Sequence, residues 1–156
     1  MPLTPTTNIE ILIDPQIMLS SGSSDFSAAT AIDLTGYSNR IQISRTFDQH
    51  DVTVFGQTDH ATALGLGKWQ AQVELLQEYT SGGIDSKLWP LVGAATPWWL
   101  FVRPAYASRM PTNPEYVGPV RLADYNPING QVGDPLKNAI TFVGAGSLSR
   151  VATCSS

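Results

Sequence analysis

At 156 residues the chain has the length of one domain, long enough to bury a sizeable core, and no second domain is expected. Apolar residues make up 42% and charged residues only 14%, below the roughly one quarter usual in soluble proteins, so part of the uncharged surface is expected to be covered by other subunits. The formal net charge of −4 is carried N-terminally, since Glu10, Asp14, Asp25 and Asp33 precede the first basic residue, Arg40, and no basic cluster offers a footprint for phosphate backbones.

Cys154 is the only cysteine, which excludes an intrachain disulfide and a cysteine-based zinc cage and suits synthesis in a reducing cytoplasm. No leader with a basic start and an apolar run opens the chain, and no apolar stretch reaches the roughly 18 residues of a membrane span. Neither export by a standard signal nor contact with a membrane is expected.

Residues 1–31 read as an N-terminal arm. Within it Ile9, Ile11 and Ile13 alternate up to Asp14-Pro15 as a short strand of period two. Pro15 cannot donate to a ladder, so the strand belongs at an edge, either of this chain's sheet or of another copy's. Ser20-Ser21-Gly22-Ser23-Ser24 marks a flexible connection.

Two alternating runs follow. Arg40–Phe47 sets Ile41, Ile43 and Phe47 on one face, with Arg45 among them in need of a partner or of water. Lys68–Leu75 sets Trp69, Ala71, Val73 and Leu75 inward and Lys68, Gln70, Gln72 and Glu74 outward. Between them residues 48–67 hold apolar side chains without a helical period. A connection of about twenty residues inside one domain is uncommon and usually functional, and this one reads as a loop that reaches a neighbouring subunit.

Ile84, Leu88 and Leu91 share a helical face. Asp85 or Ser86 can cap the start and Gly93 the end, and Pro90 requires a start near Ser86 and a short helix. Trp98-Trp99-Leu100-Phe101-Val102-Arg103 is an apolar run bounded by Pro97 and Pro104, with both faces expected to be covered, either as a core strand or against another subunit. After a proline-rich loop over 105–114, a strand over 116–125 is interrupted at Gly118-Pro119. Asn129-Gly130 predicts a hairpin, and strands over 136–143 and 147–153 close the chain around Gly144-Ala145-Gly146.

The densest set of chemically able groups is Asp48, His50, Asp51, Asp59 and His60, which includes both histidines. Imidazole and carboxylate together can bind a divalent metal, but no spacing fixes a ligand geometry. No phosphate loop and no nucleophile elbow occurs, and Cys154 lies beside a chain end. No catalytic residue, metal or cofactor is assigned.

Asp51-Val52-Thr53-Val54-Phe55-Gly56, then His60 and Gly65-Leu66, then the strand from Trp69 form an ordered set. That order, with the short helix, the strand with its proline-rich exit and Asn113-Pro114-Glu115-Tyr116-Val117-Gly118, resembles the major tail tube proteins of long, flexible-tailed bacteriophages. The likeness covers roughly residues 38–153. It implies a mainly β fold, a β-sandwich or partly closed barrel with one short flanking helix and a long inter-strand loop. It further implies hexameric rings stacked into a hollow tail tube in the virion, made in the host bacterial cytoplasm. The partners implied are the tape-measure protein in the lumen, the tail terminator and tail-tip proteins at the ends, and DNA passing without specific binding. Six copies at this net charge carry about −24 per ring, which repels DNA phosphates if the acids face the bore. On this reading Phe47, Val52, Val54, Phe55, Leu64, Leu66, Trp98 and Trp99 make contacts between subunits, and Gly56, Gly65 and Gly67 let the loop bend. Two other classes stay open: a related virion component (tail terminator, head-tail connector or capsid decoration protein), or a small metal-dependent hydrolase using His50 and His60.

Overall fold

The computed structural model describes residues 12, 14–22, 31–56 and 58–153. The expected strand through Ile9, Ile11 and Ile13 lies outside the described residues, as does Cys154. The architecture is mainly β. Strands β1 (Gln16–Ser21), β2 (Ile32–Asp33), β3 (Ser38–Asp51), β4 (Thr62–Leu76), β5 (Trp98–Arg103), β6 (Glu115–Asp124), β7 (Lys137–Gly144) and β8 (Ser149–Val151) form one sheet, and α1 (Ile84–Leu88) is its short helix. The sheet order is β2-β1-β5-β6-β7-β4-β3, with β8 also paired to β6 and every ladder antiparallel.

The connectivity forces this sheet to curl. β2 and β3 stand at opposite ends of the order yet are separated in sequence only by Leu34–Tyr37. Seven strands laid flat at about 4.8 Å spacing would put those ends about 29 Å apart. Five chain steps of at most about 3.6 Å reach only about 18 Å. The ends must therefore approach one another, which makes the sheet a partly closed barrel. Leu34, fully buried, donates its amide to the Ile17 carbonyl at 2.9 Å, and the Thr35 hydroxyl receives the Ile17 amide at 3.1 Å.

The concave face holds the core. Trp69, Ala71, Val73 and Leu75 of β4 are buried as their alternation predicts, and they meet Ile140, Phe142, Leu100, Val102, Val120 and Leu122 from the neighbouring strands. Ile84, Leu88 and Leu91 turn the helix onto this core. The helix begins at Ile84, with Gly83 as its N-cap, earlier than the proline argument places it. Pro90 sits in a following 3₁₀ turn, Trp89–Leu91, where the missing amide is not needed. Tyr125 fastens the helix to the sheet: its hydroxyl donates to Asp85 Oδ1 at 2.6 Å and accepts from Gln77 Nε2 at 2.8 Å. Burial first, and then the bond to Asp85, push the Tyr125 phenol up to about 12.

Four expectations are corrected. Residues 16–21 are not part of an arm: β1 lies between β2 and β5, Ile17 and Leu19 are core residues, and Ser20 is fully buried. A strand of six residues between Pro15 and Gly22 is too short for its alternation to stand out. The strand over 116–125 is continuous through Pro119. Its carbonyl accepts from Ala145, so its missing amide faces the same side, where β7 has ended and β8 has not begun. β7 and β8 are not a closing pair but successive stretches along one side of β6. The turn between β6 and β7 does not form at Asn129-Gly130, and the left-handed glycine in that connection is Gly133, at φ 98°.

Trp69 locks the corner where β7 stops. Its indole reaches from β4 across Gly144 to Gly118, where an added Cβ would lie 2.3 Å and 2.4 Å from the ring, and its Nε1 donates to the Gly146 carbonyl at 2.6 Å. Alanine at Gly144 therefore overpacks the core and is expected to cost about 1–3 kcal/mol in urea unfolding. Gly36→Ala, with nothing within 4 Å of the added carbon, serves as the control and should stay within about 0.5 kcal/mol of the parent.

Candidate assembly surface

The span 48–67, expected as a loop, is mostly sheet. β3 and β4 continue to Asp51 and back from Thr62, so the connection is 52–61, with a register shift between Phe47 and Gln49. β4 pairs with β7 only from Gln70 to Leu76. Beyond Gln70 the two strands run on as a ribbon with no third strand beside it among the described residues. An isolated two-stranded ribbon is marginally stable in water, and apolar side chains on it lack a surface of their own subunit to cover them.

Those side chains are the ones singled out in the sequence. Phe47, Val52, Val54, Phe55, Leu64 and Leu66 are all exposed, Leu64 at 68% and Leu66 at 84%. β3 also presents an edge that no strand among the described residues pairs. Exposed apolar side chains beside an unpaired strand edge are the kind of surface through which proteins associate. Trp98 and Trp99 lie elsewhere, on the interior strand β5. Trp98 packs against the core, and Trp99, on the other face, borders a cavity with Arg109, Pro119 and Ser149.

The ribbon is stiffened by contacts across it. Gly65 and Gly67 lie inside β4 rather than in a bend. A Cβ on Gly67 would meet the Phe47 ring at 2.8 Å, and one on Gly65 would meet His50 Nε2 at 2.7 Å. Each glycine thus leaves room for a ring from β3. Arg45 finds its partner here, its guanidinium 5.0 Å from the centre of the Phe47 ring. Lys68 Nζ pairs with Asp48 at 3.4 Å on the surface. Gly56, at φ 94°, is the one of the three glycines that makes a turn.

At the tip, Asp51 accepts from the Thr53 amide at 2.9 Å and from the Thr53 hydroxyl, and His60 Nδ1 lies 3.3 Å from its second oxygen. The Thr53 hydroxyl oxygen receives the Ala61 amide at 3.0 Å, and Val52 donates to the Ala61 carbonyl. These bonds use Asp51 and His60 to close the turn. Asp48 and His50 point to other partners, and among the described residues no group of three acidic, histidine or cysteine side chains is placed to hold a metal. One further cluster was not anticipated. Glu115, buried, forms an ion pair with Arg103 at 3.3 Å and accepts a hydrogen bond from Arg109 at 3.1 Å, while Asn113 bonds the Ala105 amide and carbonyl and so fixes the loop 104–114. Two arginines, Arg103 and Arg109, and one acid, Glu115, along a proline-rich loop are the signal that could have found it.

The hydroxyl of Thr53, then its amide, hold the Asp51 carboxyl below the usual carboxylate range. A depressed pKa means that the clasp is fully present above the unfolded value of about 3.9 and is lost as pH falls through the lower, folded value. The Thr53 amide proton, followed by NMR, should therefore titrate with a midpoint below about 3.9, and Thr53→Ala should move the Asp51 midpoint up.

No protein-family model matches the chain, and no curated protein matches it in sequence. Solved structures do. A chain in the tail of an empty gene transfer agent particle of C6 symmetry superposes with a TM-score of 0.61 at 12% identity, over 88% of this chain and 96% of that one. A chain of the SPP1 tail tube gives 0.68 at 8% identity, over 91% and 78%. A chain of the anti-feeding prophage baseplate, six-fold symmetrised, gives 0.64 at 8% identity, over 94% and 98%. At such identities the likeness is one of fold, and this chain shares its fold with chains of virion tails, tail tubes and baseplates.

Proposed function

We propose that the chain is a structural subunit of a virion tail, assembling as rings, six-fold by analogy with the symmetric neighbours, that stack into a hollow tube through which DNA passes. The observation that carries this reading is the ribbon: a two-stranded extension beyond the sheet whose apolar side chains are exposed among the described residues. Phe47, Val52, Val54, Phe55, Leu64 and Leu66 are its contact residues, and Trp99 joins them only if a neighbour reaches the cavity beside it. Tape-measure, terminator and tail-tip proteins are the partners such a tube requires. No catalytic role is assigned. A component forming a single ring is the second reading, favoured by the full-length likeness to the baseplate chain.

Negative-stain electron microscopy over a range of concentrations separates these. Tubes with a central channel support the first reading, rings that never stack support the second, and monomers at every concentration overturn both. Burying a Leu side chain is worth about 1.5–3 kcal/mol, so Leu64→Asp with Leu66→Asp should weaken association by at least about 100-fold. Sedimentation should then show monomers with an unchanged circular dichroism spectrum, because both side chains lie outside the core.

A further inference from the structure

Two surfaces of the molecule complement one another. One is a groove of about 570 Å³ with a floor of Ile41, Ile43, Val102 and Leu148 and with Arg45 and Arg150 along it. Its size falls within the roughly 300–1,000 Å³ of pockets that hold a ligand. Neither arginine pairs with a carboxylate among the described residues. The other surface is the ribbon tip, where Val52, Val54 and Phe55 are exposed, Phe55 completely. Asp59, beside them and also exposed, pairs with no cation among the described residues. An apolar floor flanked by cations that lack carboxylates fits an apolar plug that carries an acid.

The tip does not reach the groove of its own subunit. Ile43 on the groove floor and the tip belong to one strand and the turn that follows it, and from Ile43 to Asp51 β3 advances about 27 Å at about 3.4 Å per residue. Folding back over that distance would break the ladder with β4. The groove of a second copy is within reach. Beyond Gln70, which faces Ser44, the ribbon projects by about 24 Å, more than half the diameter of about 39 Å expected of a compact chain of this length. A copy set against this one therefore receives the tip inside its outline, where a groove and not a flat face is needed. We propose that the ribbon tip of one copy docks in this groove of the next, with Phe55 on the apolar floor and Asp59 against Arg45 or Arg150; the proposal rests on the reading of the chain as a self-assembling tail subunit. Because tip and groove are different surfaces, a docked pair still offers one of each, and the contact propagates head to tail.

The test places p-benzoylphenylalanine at Phe55 in the full chain, mixes ¹⁵N-labelled and unlabelled protein, irradiates, and maps cross-linked peptides by mass spectrometry. Docking predicts cross-links to 41–45, 102–104 or 148–150 whose two halves include mixed label. Halves that always share a label would mean contact within one chain, and cross-links elsewhere, or none, would mean that the groove is not the tip's site; each of these overturns the proposal. Asp59→Lys sets like charges together and should lower the yield at the groove at least about tenfold, and Arg45→Glu with Arg150→Glu in the same chain should restore it. An unchanged yield in Asp59→Lys would overturn the pairing given to Asp59. Electron microscopy of the same samples separates the two readings: tubes or rings whose cross-links fall elsewhere overturn the docking and leave the tail subunit standing, whereas monomers at every concentration overturn both.

Discussion

Four residues, Leu34 to Tyr37, join the two ends of an antiparallel sheet, and that short tie governs the rest of the molecule. It is too short to cross a flat sheet, so the sheet bends until its ends face one another. Bending creates the concave side that collects the apolar faces of the strands and the helix. Beside β3 a groove remains, lined from β3, β5, β6 and β8. The buried Leu34 and the bonds from its neighbours to Ile17 hold the tie in place.

Within that curved frame, glycine sets where large side chains can lie. Trp69 covers two strands because Gly118 and Gly144 present no Cβ to it, and its bond to Gly146 marks where β7 gives way to the chain that leads to β8. The same device recurs on the ribbon, where Gly67 makes room for Phe47 and Gly65 for His50. In the core the arrangement fixes the packing. On the ribbon it seats the Phe47 and His50 rings of β3 over the facing strand.

The acidic and histidine residues at the ribbon tip show how chemical potential differs from placement. Asp51 and His60 are able metal ligands, yet the backbone brings them together with Thr53 and Ala61, and their lone pairs and protons are spent on closing a turn. The buried Glu115, between Arg103 and Arg109, is likewise engaged in fixing a loop.

Alternation by itself determined that the chain is mainly β, which face of β4 is buried, that Ile41 and Ile43 of β3 pack against the core, and that Ile84, Leu88 and Leu91 turn inward, because these depend on period and burial, which are local properties. The apolar residues of 47–66 were likewise legible as an uncovered set. Only the tertiary structure decided that they stand on a ribbon, since Gly65, Gly67 and the polar run from Asp48 to Asp51 break the alternation that a reader would follow, and the pairing that restores it comes from the facing strand. It also decided that residues 16–21 belong to the core and that Pro119 sits inside a strand at a gap between β7 and β8. Each of these rests on contacts that a residue's own stretch of chain does not specify, which no local pattern can supply.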